Sequence, residues 1–477
     1  MTKSVTLIKG DGIGPEVIGA AQRVVEATGV KIQWEVCEAG ASVFKKGLAT
    51  GIPQETIDSL LRTKVALKGP LETPVGYGEK SANVTLRALF ETYANTRPVQ
   101  NIPGIHTPFS ERRIDFVVVR ENLEDLYAGI EYLQTSTVAE AVKLITRKGS
   151  EKIIRFAFEF ARAEQRHKVH CATKANILKL TEGLFKKIFE EVSADYPDIE
   201  AHHIIIDNCA HQLVTHPEAF DVIVTTNLQG DIISDLASGL IGGLGVAPAA
   251  NIGDQAAIFE AVHGSAPKYA GQNTINPTAV LLSSVLMLRH LKEFEAAHKI
   301  EQSLLYTFGV EKAFTSDLDK TSPLTTTAFT DRVIHNLGKE TDFWTHRTYK
   351  PLHFPRIIDQ ADTTLRKIVG VDIYIESSLS AEALGKNLED IASLSPFYLK
   401  MISNRSVQVY PAIPGIKVET VDHWRARFFI EEGLSSVGNK DIIDLIANIS
   451  KTHLWMQIEK LYEFNHSPGF TKAQGES

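Results

Sequence analysis

Asp231 and Asp235 stand four residues apart in the run Asn-Leu-Gln-Gly-Asp-Ile-Ile-Ser-Asp, residues 227–235, which follows the apolar stretch Val222-Ile223-Val224. On a helix, that spacing puts both carboxylates on one face. Like charges so placed repel, and a hard divalent cation relieves the repulsion. Mg²⁺ or Mn²⁺ takes carboxylate and water oxygens and leaves positions open for a substrate. The same residues also suit an N-cap at Asp231 and a solvated Asp235, because Gly230 allows a turn and Asp is favoured near helix starts.

Elsewhere the chemistry turns toward anions. Ser81, Asn83 and Arg87 lie in the segment 80–87, after the loop Gly69-Pro70-Leu71-Glu72-Thr73-Pro74, and bring hydroxyl, amide and guanidinium to an expected helix N-terminus. Arg97 precedes Pro98, and Arg120 follows the apolar run 116–119. Three arginines suit bidentate clamping of more than one carboxylate, although an arginine taken singly is more often a surface or structural one.

Tyr127 and Lys174 are the acid–base candidates. Both ordinarily titrate near pH 10, so each needs a neighbouring cation or burial to lower its pKa; the plain alternative is a packed tyrosine and a solvated lysine. A last cluster runs Glu260-Ala-Val-His263-Gly264-Ser265-Ala266-Pro-Lys268-Tyr269-Ala-Gly271, followed by Asn276-Pro277. Its Gly/Ser/Ala turn lets backbone approach a bulky ligand, and His263 with Lys268 can meet phosphate or ribose. Gly10-x-Gly12-x-Gly14-Pro15 departs from the G-x-G-x-x-G dinucleotide fingerprint and reads as a plain strand-to-helix turn with Pro15 at the first helical position.

Positioning these residues takes alternating strands and helices. Strand-like runs at 5–8, 65–67, 116–119, 204–206 and 222–224 alternate with helical patterns at 15–28, 82–93 and 231–240, which predicts an α/β fold with a largely parallel core sheet. Sites in such folds lie at the carboxyl ends of strands. The longest apolar stretch, 279–288, holds Ser283 and Ser284 and is too short for a bilayer, so it predicts a buried helix. Residues 339–362, with Pro351 and Pro355, read as a linker. Beyond it, strands at 369–375, 407–410 and 424–430 and helices at 381–392 and 440–449 predict a small α+β domain, with an alternation that suits a ferredoxin-like interaction module.

The 477 residues accommodate two or three domains. A formal charge of −8 without a long Lys/Arg run argues against nucleic acid and for a small-molecule partner. Cys37, Cys171 and Cys209 are far apart and outside any C-x-x-C spacing, as expected of reduced thiols. The first residues leave no room for a signal h-region, so the expected location is cytoplasmic, away from any membrane.

Taken together, these segments resemble the metal-dependent decarboxylating dehydrogenases of isocitrate, isopropylmalate, homoisocitrate and tartrate, over about residues 1–338. The resemblance implies large and small α/β domains on a mixed sheet. Residues 1–98 and 242–338 would form a discontinuous large domain, and 99–241 a small domain with the metal site and a dimer clasp. The linker 339–362 and the C-terminal domain 363–477 follow, similar to an extension of some bacterial isocitrate dehydrogenases.

It further implies substrate contacts from Ser81, Asn83, Arg87, Arg97 and Arg120, in the form Ser81-x-Asn83-x-x-x-Arg87 of the isocitrate enzymes. Asp231 and Asp235 would hold Mg or Mn, with Asp207 donated by the other subunit. Tyr127 would return a proton to the enolate, and Lys174 would act in the partner's site, making an obligate homodimer with shared active sites. The implied activity is the tricarboxylic acid cycle step from isocitrate to 2-oxoglutarate and CO₂, with NADP reduced.

Cofactor contacts would come from Thr73, Glu260, His263, Gly264, Ser265, Ala266, Lys268, Tyr269 and Asn276. Lys268-Tyr269 resembles the NADP-using pattern. His216, Ser316 and Lys320 stand where strongly NADP-preferring relatives carry Arg, Tyr and Arg, and Glu72 and Tyr77 depart from the usual loop before Ser81. An NAD-preferring enzyme, a homoisocitrate or isopropylmalate dehydrogenase, and a non-catalytic regulatory subunit are the alternatives.

Overall fold

The computed structural model of the chain describes residues 2–73, 81–344, 352–353, 357, 364–434 and 437–476; Tyr77 and most of the expected linker lie outside the described residues. The chain divides into two compact units, Met1–Ala128 with Lys143–Ile357, and Gly129–Val142 with Ile358–Ser477.

The first unit is built on strands β1 (Lys3–Ile8), β2 (Ile32–Cys37), β3 (Val65–Lys68), β4 (Ala94–Gln100) and β5 (Asp115–Glu121). After the hairpin strands β6 (Glu131–Leu133) and β7 (Ala139–Ala141) of the second unit come β8 (Lys168–Thr173), β9 (Glu200–Ile205), β10 (Val222–Thr225), β11 (Pro248–Ile252) and β12 (Ala257–Ala261). Ten of these strands form one sheet in the order β2-β1-β3-β12-β11-β4-β5-β10-β8-β9.

The outer stretches are parallel, as the continuous apolar runs of β5 and β10 require of strands buried on both faces. The centre is mixed, as the family resemblance implies and the apolar runs alone do not: β11 is antiparallel to β12 and to β4, and β4 is antiparallel to β5. The two halves therefore point in opposite directions, and the carboxyl ends of β3 and β12, and of β5 and β10, reach the same central strands. Neither β4, Ala-Asn-Thr-Arg-Pro-Val-Gln, nor β11, Pro-Ala-Ala-Asn-Ile, has a Val/Ile run, so neither announces itself as a strand.

Helices cover the sheet. Gly14–Ala27 turns Val17, Ile18, Ala21, Val24 and Val25 inward at helical spacing, and Thr278–His290 is the expected buried helix. Among the described residues, no helix is long and apolar enough to cross a membrane.

In the second unit β13 (Arg366–Glu376), β14 (Phe397–Asn404), β15 (Val407–Tyr410), β16 (His423–Ile430), β17 (Leu454–Phe464) and β18 (Ser467–Pro468) form an antiparallel sheet in the order β15-β14-β16-β13-β17-β18. Helices Ala381–Ala392 and Asn439–Ile449 supply Leu388 and Leu445 to a core with Val371, Ile373 and Ile375. By strand alternation Asp372 lies on the opposite face. There Arg427, nearly without exposure, donates to Asp372 at 2.8 and 2.7 Å and to Glu476 at 2.9 Å. The hairpin is bound to the same unit. Gln134 donates to Gln457 at 2.7 Å, Thr137 to Asp422 at 3.0 Å, and Glu140 lies 3.2 Å from His423.

Candidate active site

The helix Asn227–Ile241 begins at Thr226, which has extended backbone, so Asp231 falls in its second turn and the N-cap explanation does not apply. Asp231 Oδ1 lies 3.1 Å from Arg97 Nη2 and also meets Arg120 Nη1. Its Oδ2 accepts from the Tyr127 hydroxyl at 2.5 Å. Asp235 Oδ1 lies 3.4 Å from Arg97 Nη1. Arg120 also donates through Nε and Nη2 to Asn227 Oδ1, at 3.0 and 2.8 Å. A Cβ at Gly230 would come within 2.6 Å of Arg120 Cγ, so glycine is what lets the helix lie on this arginine.

Burial opposes charge throughout this cluster. It pulls the Arg120 guanidinium down to about 10, with Arg97 and Arg87 adding repulsion. Burial also works against Asp231, but Arg120 and Arg97 hold its carboxyl below the usual range. Asp235 is raised by burial, which Arg97 only partly offsets. The Tyr127 hydroxyl is raised too, by burial and by its bond to Asp231. Burial therefore moves Tyr127 away from neutrality, opposite to the lowering expected from the sequence; only Arg120 pulls it down.

The facing wall comes from β3 and β12. Glu260 is buried, with Lys68 Nζ at 2.5 Å, Arg87 Nη2 at 3.1 Å and Asn251 Nδ2 at 2.7 Å. Burial would raise its carboxyl, yet Lys68 and Arg87 hold it well below the usual range. Lys68 also donates to Asn83 Oδ1 at 2.9 Å. Sequence reasoning missed Lys68, although a lysine closing the apolar strand 65–67 just before Gly69-Pro70 was a usable signal. With Asn83, Arg87, Arg97, Glu260 and His263, it lines a cavity of about 100 Å³. Burial pushes His263 below its usual range, which favours the neutral imidazole. Thr73 and Ser81 are joined through their hydroxyls at 3.0 Å.

Behind this wall lies the turn 263–269. The 10–14 turn is more than a strand-to-helix connection. Ile13 N donates to Ser265 O at 2.9 Å, and a Cβ on Gly12 would sit 2.0 Å from that oxygen. Ala266 takes a left-handed backbone, φ 37°, leading into the short turn Pro267–Tyr269, where Tyr269 is exposed. Asn276 Nδ2 donates to Asp317 Oδ2 at 3.1 Å, which brings the stretch containing Ser316 and Lys320 to the same end. His216 caps the helix Ile206–Thr215 at the surface.

Lys174 and Asp207 are joined to each other at 3.1 Å, with the Asp207 side chain 69% exposed. Among the described residues nothing ties either to Asp231 or Asp235, and no three His, Cys, Asp or Glu side chains gather where a metal could sit. One chain thus brings together the arginines, Tyr127 and two aspartates, while Lys174 and Asp207 pair with each other.

Residues 4–333 match the family described as isocitrate/isopropylmalate dehydrogenase, and residues 366–476 match bacterial isocitrate dehydrogenase, C-terminal domain. The chain is 59% identical over 481 residues to isocitrate dehydrogenase (NADP) of Thermus thermophilus, covering 99% of this chain and 96% of that one. A crystal structure of a Thermus thermophilus protein is similar with a TM-score of 0.97 and 58% identity, over 99% of this chain and 96% of the other. Isocitrate dehydrogenase from Methylococcus capsulatus is similar over 70% of this chain and 99% of its own, with a TM-score of 0.68 and 48% identity. By sequence and architecture, the chain belongs to the isocitrate/isopropylmalate dehydrogenase family.

Proposed function

We infer that this chain oxidises and decarboxylates isocitrate to 2-oxoglutarate and CO₂, with NADP as the hydride acceptor. The observation that carries this reading is the convergence of Arg97, Arg120 and Tyr127 on the one carboxylate of Asp231. A site with that many donors around a carboxylate suits a tricarboxylate, whose acid groups can engage the guanidinium groups in its bound pose.

Ser81 and Asn83 meet the carboxylate that distinguishes isocitrate from its smaller relatives, while Arg87, Arg97 and Arg120 hold the other two. The all-oxygen donor set of Asp231, Asp235 and Asp207 from a second copy fits a hard cation, and the 53% exposure of Asp235 leaves it reachable. Mg²⁺ or Mn²⁺ held there supplies Lewis-acid stabilisation of the charge that develops on the substrate oxygens. Lys174 of a second copy, directly or through water, takes the C2 hydroxyl proton, and Tyr127 returns a proton at C3. Thr73, Glu260, the 263–269 turn and Asn276 hold the dinucleotide, with Lys268 and Tyr269 on its 2′-phosphate.

The exposure of Asp207 and its pairing with Lys174 support a homodimer with shared sites, and the three free cysteines support a cytoplasmic setting. We further propose that residues 1–98 with 242–338, and 99–241 without the hairpin 129–142, act as large and small domains. The C-terminal stretch 363–477 is a ferredoxin-like module that extends the dimer contact. Steady-state rates of the purified chain with isocitrate at varied NADP and NAD test the reading. Preference for NAD would overturn the assignment of Lys268 and Tyr269, and lack of turnover in the chain alone would favour a regulatory subunit.

A further inference from the structure

Three buried asparagines beneath the arginines have no part in the chemistry above. Asn251 on β11 and Asn95 on β4 stand opposite one another in the sheet, and Asn122 directly follows β5; none exceeds 3% exposure. Central strands normally fill such positions with apolar side chains, and a buried amide is tolerated only when its hydrogen bonds are made.

Asn251 uses its whole amide. Its Nδ2 donates to Glu260 Oε1 at 2.7 Å and to the Ile258 carbonyl at 3.2 Å. Its Oδ1 accepts from Asn95 Nδ2 at 2.7 Å and from Asn122 Nδ2 at 3.0 Å. Asn95 Oδ1 in turn accepts from Arg97 Nε at 2.7 Å. The orientation of Asn251 follows from its partners: turned over, its nitrogen would face two donors and its oxygen a carboxylate and a carbonyl. An unbroken chain of donors and acceptors therefore runs from Arg97 through Asn95 and Asn251 to Glu260. At its far end Glu260 holds Arg87 and Lys68.

We propose that Asn251 is a positioning residue that fixes the guanidinium groups of Arg97 and Arg87 relative to one another, and so sets the isocitrate clamp. This rests on the reading of those arginines as substrate ligands. The sheet register explains why the link is rigid: Asn95 pairs with Asn251 on one side and Arg120 on the other, and Glu260 pairs with Lys68. Each member of the chain is fixed by backbone pairing before its side chain makes a bond.

The discriminating substitution is Asn251→Asp in the full-length enzyme. It keeps the shape and the two acceptor contacts. It loses the donor to Glu260 while the new carboxyl is ionised and regains one when that carboxyl is protonated. The charged groups around it are Glu260, Lys68, Arg87 and Arg97.

At about pH 8 the KM for isocitrate should rise roughly tenfold or more and clearly exceed any rise in the KM for NADP, which Glu260 also serves, with kcat less affected. Lowering the pH toward about 6 should shrink the isocitrate defect, because a protonated carboxyl donates as the amide does. Asn95→Ala should raise the same KM, and combining it with Asn251→Ala should do no more than the worse single change. Unchanged isocitrate KM in either folded single variant, an equal rise in both KM values, a pH-independent defect, or additive effects would each overturn the proposal. Absence of isocitrate turnover in the parent would instead overturn the functional reading itself.

Discussion

Asp231 accepts from two arginines and a tyrosine, whereas Asp235 reaches Arg97 alone at 3.4 Å and is half exposed. The two aspartates should thus separate function from fold differently. Asp235→Asn should leave the melting temperature within a few degrees and reduce turnover in Mn²⁺ by about two orders of magnitude or more; near-normal rates would rule out the metal assignment. Gly230 makes a complementary case, because an added methyl would meet Arg120 Cγ at 2.6 Å and Cβ at 2.7 Å in a side chain with 1% exposure. Gly230→Ala should cost about 1–3 kcal/mol by overpacking, read from the denaturant midpoint, and should raise the isocitrate KM because Arg120 must move.

At the end of β5 the chain turns toward Tyr127 over a buried acid. Glu121 accepts the backbone N–H groups of Leu123 and Glu124 at 2.7 and 2.9 Å, yet burial outweighs them and pushes its carboxyl from the usual 4.5 up to about 7. Between those two pH values the folded chain holds a proton the unfolded chain has lost, so stability falls as pH rises, by at most about 1.4 kcal/mol per pH unit. Glu121→Gln should flatten that part of the melting-temperature profile. Parallel profiles for the two proteins would dismiss Glu121 as the source.

How much of this was legible in the sequence varies by element. The helix carrying Asp231 and Asp235 and the strands β5 and β10 follow from apolar runs and spacing. By contrast β4 and β11 are written in alanine, asparagine, arginine and proline, so the apolar runs alone point to a largely parallel sheet, and the antiparallel centre enters only through the family resemblance. Asn251 was hidden for a related reason. Residue types reveal what a side chain can bond, but Asn251 finds Asn95 across 156 positions and Asn122 across 129, through a register no local pattern encodes.

For the whole molecule, the homodimer reading makes Lys174 and Asp231 serve different sites. Two inactive variants, Lys174→Met and Asp231→Asn, should therefore regain activity when refolded together. Random pairing leaves half the dimers mixed, each with one intact site, so recovery should approach about a quarter of the parent rate. No recovery despite mixed dimers seen by mass spectrometry would place both residues in one chain's site.

The hairpin Gly129–Val142 gives the second unit a consequence for handling the protein. The chain passes between the compact units three times, after Ala128, Val142 and Ile357, so the second unit is laced through the first part of the sequence rather than hung from one tether. Cleavage at a protease site engineered between residues 345 and 363 should then yield two fragments that stay together on native gel filtration and part in denaturant, because Gln134, Thr137 and Glu140 remain paired with the C-terminal sheet. The first and second passages flank a hairpin that begins two residues after Tyr127. Truncation after residue 340 would therefore strip partners from a segment that starts two residues after Tyr127 in the sequence, and any loss of rate in such a fragment would report an orphaned hairpin as well as a missing domain.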